Sequence, residues 1–458
     1  MTGSLLDRIA GLGAAVALID DATGVETSFA ALADQARDAT DLLRTAGIRA
    51  GDVVKLDGEA GANTLALLLA LQALGTVVAL DTSTVPAERA DKAALARAVW
   101  QLRPETGHRP EELAPDGEEA PLVKQLREAG HAGLILFSSG TTGRPKAMLH
   151  DLDRLSASYL GGAPRTKPLR LLLFLMFDHI GGINTIFSSL AQGTTLVLPA
   201  ERTPMAVAGA IARHRVQVLP ASPTFLNLML MSGAVEAHDL STLRMITYGT
   251  EPMPEGLLGL LRSRLPRARL LQTFGTSETG IVSTVSRAST SLAMRFDDEA
   301  VEHRIVDGEL WLRSRRRIVG YLNHPMDAFT DDGWFRTGDL VEETSDGFLK
   351  VKGRAKEIIN VGGEKVFPAE VEGVLMASGL VADCKVFGQP NAITGQAVMA
   401  EIVPAADAVP ADPAALVKAV KAHARERLDP FKVPVRVKIV TDIPYSARFK
   451  KLISREAS

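Results

Sequence analysis

Short apolar runs alternate with stretches of helical periodicity along the first two thirds of this chain. Strand–helix–strand repetition is satisfied by parallel sheets covered on both faces by helices, so it narrows the fold to a layered α/β class. Residues 28–54 show one such unit. Ser28 is placed to cap a helix, Phe29, Leu32, Ala33, Ala36 and Leu43 fall on one face, a glycine turn follows, and "VVKL" reads as a strand. "LRLLLFLMF" (169–177), "TTLVL" (194–198) and "VQVLPASP" (216–223) read as further buried strands. "PMAVAGAIARHR" and "PEGLLGLLRSRL" read as helices among them.

The pattern changes twice. Residues 85–130 are irregular and rich in Pro, Glu and Arg, which suits surface helices and loops. From about Asp297 short strands and turns dominate, as in an antiparallel or distorted β-barrel region. Near Gly353 a third style begins, with "PAEVEGVLMAS" and "DPAALVKAVKAHARERL" helical and "VRVKIV" alternating as a strand. The expected division is a large N-terminal domain over residues 1–353 and a small α+β C-terminal domain over residues 354–458.

Composition excludes several classes. Apolar residues make up 46% and charged residues 23% of the 458, an ordinary globular balance with a core large enough for several domains. A net charge of −3 gives no reason to expect nucleic-acid binding, and "RSRRR" (313–317) reads as a solvated edge. The single cysteine, Cys384, excludes an internal disulfide framework and sits in a strand-like context as a small core hydrophobe. The most apolar stretch, residues 64–80, is interrupted by Gln72 and Gly75 and reads as helix, turn and strand rather than a membrane span. The N-terminus lacks a basic start followed by a long apolar core, so a cytoplasmic location is expected, with no membrane partner.

One stretch carries more chemistry than a turn needs. "FSSGTTGRPK" (137–146) follows the apolar run "AGLILF" and combines hydroxyls, glycines and Lys146. Backbone amides freed by glycine, hydroxyl donors and a cation are the parts of a phosphate cradle. The spacing is not that of G-x-x-x-x-G-K-[ST], so on composition alone a mobile turn competes equally with phosphate binding.

The longer stretch "FSSGTTGRPKAMLH" resembles the phosphate-loop signature of the adenylate-forming superfamily, which includes acyl-CoA synthetases, peptide-synthetase adenylation domains and firefly luciferase. Further motifs follow in that family's order: "TYGTEPMP" (247–254), "FGTSETG" (274–280), "GWFRTGDL" (333–340), "GRAKEIINVGGEKVFPAEVE" (353–372) and "IPYSARFKK" (443–451). The resemblance implies ATP, Mg2+ and a carboxylic acid as reactants, with an acyl-adenylate formed first. It implies that Ser138, Ser139, Gly140, Thr141, Thr142, Gly143 and Lys146 hold phosphates, and that Gly249, Thr250, Glu251, Phe274 and Gly275 line the adenine site. Glu278 is implied as the metal ligand, with Thr276 or Ser277 near the α-phosphate, and Asp339 and Arg354 at the ribose. Lys450 occupies the catalytic lysine position, although Phe449 stands where the family has glycine and leaves Lys451 as a rival. Lys356 falls at the hinge about which the family's mobile C-terminal domain turns, and "VGGEK" reads either as that domain's thiol-facing loop or as a plain hairpin.

The acid and its acceptor stay open. "FLMFDHIGGINT" (174–185) resembles one wall of the acyl pocket, in a register that offers either His179 or Asp178. Ser222, Thr224, Tyr248, Thr273 and Ile281 complete a mixed wall that suits an aryl or medium-sized acid. CoA is the leading acceptor. A phosphopantetheinyl carrier protein, or an unusual pair such as nitrite and an aryl amine in a diazotisation, are the alternatives. The state expected is monomer or homodimer.

Overall fold

The computed structural model describes residues 4–115, 117–138, 145–408, 412–446, 449 and 451. Among these residues the strands form two seven-stranded sheets, one six-stranded sheet, one five-stranded sheet and a two-stranded hairpin. The first seven-stranded sheet is ordered Gly320–Tyr321, Lys146–Asp151, Gly133–Ser138, Val77–Asp81, Val53–Asp57, Trp100–Leu102, Glu111–Glu112. The four consecutive strands from Gly133–Ser138 to Trp100–Leu102 are parallel. The second is ordered Arg269–Gln272, Met245–Tyr248, Val218–Ala221, Arg170–Leu172, Thr195–Leu198, Val16–Asp20, Glu26–Ser28, and only the last strand is antiparallel to its neighbour.

The local rules read from sequence operate as expected in the helices. The Ser28 hydroxyl accepts from the Ala31 amide at 3.1 Å, and the buried residues of the helix Phe29–Thr45 are Phe29, Leu32, Ala33, Ala36 and Leu43. The apolar stretch 64–80 divides into a helix ending at Ala73, a left-handed turn at Gly75 (φ +72°) and the strand Val77–Asp81. Among the described residues no helix is long and apolar enough to cross a membrane. Cys384 is fully buried in the strand Val381–Asn391.

The strand expected over 169–177 is shorter than its apolar run, ending at Leu172. Leu173 and Phe177 turn into the core of the first sheet, while Phe174 joins that of the second, so the run partitions two cores instead of continuing a ladder. The chain then folds against the helix Ile180–Gln192. A Cβ at Gly182 would lie 1.9 Å from the Met176 carbonyl oxygen, which makes that glycine obligatory. Residues 85–130 contain the expected helices Pro86–Ala96 and Pro121–Glu128, but also two strands at one side of the first sheet, too short to show alternation. The antiparallel region begins earlier than expected, at Thr284, and forms the six-stranded sheet.

The last sheet comprises Glu364–Val366, Ile359–Val361, Gly395–Pro404 and Val381–Asn391, with Arg436–Ile439 parallel to Gly395–Pro404. Its core is continuous with that of the second seven-stranded sheet. At the seam the helix Glu255–Arg264 meets the helix Pro368–Ala377, and a Cβ on Gly256 would stand 2.8 Å from the Ala377 amide nitrogen.

His150, on the strand Lys146–Asp151, is 1% exposed, and neither ring nitrogen has a hydrogen-bond partner among the described residues. Burial lowers its pKa to about 4. The fold therefore holds the neutral ring, and its contribution is complete above the ordinary value near 6.5 and lost as pH falls toward 4, where the unfolded chain takes up the proton. Urea unfolding of His150→Leu should show a flatter pH dependence between pH 6.5 and 4 than the parent, by up to about 3 kcal/mol. Identical slopes would show that His150 does not govern the acid limb.

Candidate active site

Parallel strands joined by crossover helices all end at one edge, and ligands in open α/β sheets bind there. In the second sheet Val218–Ala221 runs into Ser222 and Thr224, Met245–Tyr248 into Gly249, Thr250 and Glu251, and Arg269–Gln272 into Thr273 and Phe274. A cavity of about 480 Å³ opens at this edge. Its wall includes Thr224, Gly249, Thr250, Glu251, Thr273, Phe274 and Gly275, together with Asp339 and Arg354 of the six-stranded sheet. Lys356, Glu372 of the helix Pro368–Ala377, Asp383 of the last sheet and Lys451 close the far side.

Close backbone contacts shape the floor. A Cβ on Gly249 would stand 2.7 Å from the Thr273 hydroxyl, and the Thr273 hydroxyl and amide both donate to the Tyr248 carbonyl. Thr250 adopts φ +73°, an unusual conformation for a residue with a Cβ. It turns Glu251 so that its carboxylate accepts the Thr224 amide at 2.7 Å, at the start of the helix Pro223–Met231. Burial raises the Glu251 pKa, and the Thr224 hydrogen bond and the Lys451 charge offset that only in part.

Asp339 and Arg354 are direct cross-strand partners, with Arg354 Nε 3.2 Å from Asp339 Oδ1. Burial raises the Asp339 pKa against the opposing effect of Arg354. The carboxylate is thus oriented but not saturated, and can accept further hydrogen bonds. Lys356 lies exposed in the short turn Ala355–Glu357 between the six-stranded and five-stranded sheets.

The phosphate-loop stretch is described only at its ends. Ser138 and Lys146 are paired opposite each other on adjacent strands. Ser139, Gly140, Thr141, Thr142 and Gly143 lie outside the described residues, as does Lys450. Lys146 Nζ stands 5.2 Å from the centre of the Tyr321 ring, and the Tyr321 hydroxyl donates to Glu278 Oε1 at 2.8 Å. Glu278 and Ser277 sit in the turn of the hairpin Phe274–Thr276/Gly280–Val282, where the Thr276 hydroxyl accepts the Thr279 amide. Asn323 donates to the Pro145 carbonyl and accepts from the Ala147 amide, pinning the start of the Lys146 strand. Tyr321 and Asn323 belong to "GYLNHP", a segment that carries only a strand-and-turn signal in sequence.

Several expected pocket residues have structural duties away from the cavity. Ser222 caps its helix by accepting the Phe225 amide, Tyr248 is 2% exposed in the core, and Ile281 packs against the first sheet's core. Asp178 is also 2% exposed and lies 4.0 Å from Lys92, which pairs with Asp81 at 2.5 Å. His179 precedes the helix Ile180–Gln192. "VGGEK" is a tight hairpin, with Gly362 and Gly363 both at positive φ.

Lys451 has a clear structural role. It bridges to Tyr445, and its ammonium lies 3.2 Å from Glu372 Oε2 and 3.4 Å from Asp383 Oδ1, with the Cys384 carbonyl as a further acceptor. Tyr445 also donates to Asp383. Burial alone would lower the Lys451 pKa, but Glu372 and Asp383 outweigh it and raise the value. The pairing joins residues almost 80 apart in sequence and leaves no local pattern to read.

The sequence matches the family described as AMP-binding enzyme over residues 7–309, and its C-terminal domain over residues 370–450. A propanoyl:CoA ligase of Mycobacterium tuberculosis with a methyl-dioxo-octahydroindenyl substituent is 34% identical over 331 residues, 69% of this chain and 64% of that protein. The chain therefore spans just under two thirds of that relative. The 4-coumarate–CoA ligase-like 5 of Oryza sativa subsp. japonica is 30% identical, over 96% of this chain and 86% of that protein. Among solved structures, an amide bond synthetase from Marinactinospora thermotolerans superposes with a TM-score of 0.77 at 27% identity, covering 97% of this chain and 96% of that one.

Removing Lys451 leaves Glu372 and Asp383 without the cation that bridges them. Lys451→Met should lower the stability of the chain by about 3 kcal/mol in urea unfolding, and adding Asp383→Asn should recover part of the loss. Strictly additive losses would remove the case for a coupled cluster.

Proposed function

The chain belongs to the AMP-binding enzyme family, and from that premise we propose that it activates a carboxylic acid with ATP and passes the acyl group to CoA. The observation that carries this reading is the cavity at the strand ends, walled by Gly249–Glu251, Asp339 and Arg354 and closed by the terminal segment. In this reading the carboxylate attacks the α-phosphorus, pyrophosphate leaves with the bond it held, and an acyl-adenylate forms. Attack of the CoA thiol then releases AMP, and the thiol proton passes to solvent.

Each group has a physical task. The adenine lies against the Gly249–Glu251 and Phe274–Gly275 backbones, and the ribose hydroxyls donate to Asp339 beside Arg354. Lys146 and the hydroxyls of residues 138–142 face the phosphates. Lys450 brings a cation to two anions that repel each other, and preorganised charge of this kind is typically the largest catalytic contribution. Phe449 and Lys451, on either side of it, contact the large and small parts of the molecule respectively, which supports Lys450 over Lys451 as the reactive lysine.

Glu278 is a lone carboxylate facing the Lys146 side, and among the described residues no group of three acidic, His or Cys side chains forms a cage. That fits Mg2+, which is commonly held by one or two carboxylates with the substrate's phosphates. Bound there, the ion would screen phosphate charge, while Tyr321 holds the Glu278 carboxylate in place.

We assign residues 1–353 to the acid- and nucleotide-binding domain and 354–458 to a lid turning about Lys356. An aryl or medium-sized acid suits the enclosed site, with His179 and Thr224 as candidate wall residues. Asp178 is opposed by Lys92, which argues against its binding a substrate ammonium. An amine acceptor is the second reading, favoured by the likeness to an amide bond synthetase.

Pyrophosphate exchange across a panel of aryl and aliphatic acids tests the adenylation step, and CoA or an aryl amine added afterwards tests the acceptor. Lys450→Ala should lower exchange about 10²–10³-fold. Tyr321→Phe should weaken the apparent Mg2+ affinity in exchange about 10–100-fold while sparing the ring beneath Lys146. Absence of exchange with every acid would remove the proposal, as would Lys450→Ala with undiminished exchange.

A further inference from the structure

Tyr445, Ser446, Phe449 and Lys451 are the described residues at the C-terminal end of the chain. Tyr445 bridges to Lys451, and the Phe449 amide donates to the Ser446 carbonyl at 2.9 Å. Phe449 adopts φ +54°, the left-handed region that a residue with a Cβ enters only at a cost. It stands where the resemblance calls for glycine. The backbone therefore has the conformation glycine would take without strain, yet carries a large ring. A strained conformation of this kind persists where the surroundings over-determine it.

The surroundings here are aromatic. The Phe449 ring lies 5.4 Å from that of Phe174 and 4.9 Å from that of Phe225, the latter edge-on. Phe174 and Phe225 are themselves stacked at 4.0 Å, and both are buried in the core of the second seven-stranded sheet. Two residues further on, Lys451 is held by Glu372 of the helix Pro368–Ala377 and Asp383 of the last sheet. Phe449 and Lys451 thus connect two units whose other described ties include the Gly256 seam and the Asn227 amide on the Ala382 carbonyl at 3.1 Å.

We propose that Phe449 is an aromatic latch, a positioning residue that docks on Phe174 and Phe225 and holds the small unit against the large one. Resting on the function proposed above, the latch favours the arrangement used for adenylation over the one used for transfer. A glycine at this place would provide no such hold. The backbone strain at Phe449 is balanced only while the ring is seated, so strain and docking are lost together.

The test separates the latch from the reaction. Cysteines placed at Leu42 and Ile393, both exposed, can carry spin or fluorescent labels, because native Cys384 is fully buried. Phe449→Gly, which removes ring and strain, and Phe449→Ala, which removes the ring alone, should both broaden the distance distribution between the labels. Phe449→Tyr should keep it narrow. In Phe449→Gly and Phe449→Ala pyrophosphate exchange should fall about tenfold, as expected from losing two aromatic contacts, while transfer from preformed adenylate is not slowed. An unchanged distribution in Phe449→Gly would overturn the latch, and so would exchange as fast as in the parent. If the parent exchanges pyrophosphate with no acid, the functional reading fails while the label distances still decide the latch.

Discussion

Everything in this molecule depends on a directional constraint of parallel sheets. Strands joined by crossover helices point the same way, so the loops that follow them gather at one edge. Ser222–Thr224, Gly249–Glu251 and Thr273–Thr276 are far apart in sequence, yet each follows a neighbouring strand of one sheet. The antiparallel sheet then adds Asp339 and Arg354 from adjacent strands, where pairing sets their side chains together. Proximity of the candidate groups is thus a consequence of topology, with the local turns supplying only the final orientation.

The seam between the large and small parts is close and apolar, and it shares one continuous core. Gly256 and Gly373 let two helices approach until backbone meets backbone. An interface of that kind is not held by adaptable side chains at a distance. Any rearrangement must break it and make another, which suits a two-position lid better than a gradual one. Phe449 and Lys451 face opposite partners across this seam, one on the core of the large part and the other on carboxylates of the small one.

Charge is handled differently in the two parts. At the first sheet Lys55, Asp57 and Asp81 of the strands and Lys92 of the helix Pro86–Ala96 are nearly or fully buried and form ion pairs with one another, with Asp178 at the margin. Such a network stabilises little against an apolar core, but losing any one member leaves a buried charge uncompensated. Asp339 and Glu251 differ, since burial pushes both carboxyls toward the neutral form and their partners compensate only in part. Incomplete compensation around a cavity marks groups available to a ligand.

Much of this was legible from residues alone. The five buried positions of the helix Phe29–Thr45 follow from its periodicity, the split of residues 64–80 from Gly75, and the Gly362–Gly363 hairpin from its turn. Motif order announced the family and most of the cavity wall, because those contacts are made by loops whose composition is their chemistry. Tertiary structure alone decided the rest. The apolar run 169–177 gave no sign that Leu173 and Phe174 serve different cores, nor did Ser222 or Tyr248 reveal a structural duty. Tyr321 reaching Glu278 and Lys451 reaching Glu372 join distant segments through single side chains. Sequence determines what each segment can do locally, through periodicity and backbone freedom. Which partner a buried charge or ring meets depends on how separately folded layers pack, and no local pattern encodes that.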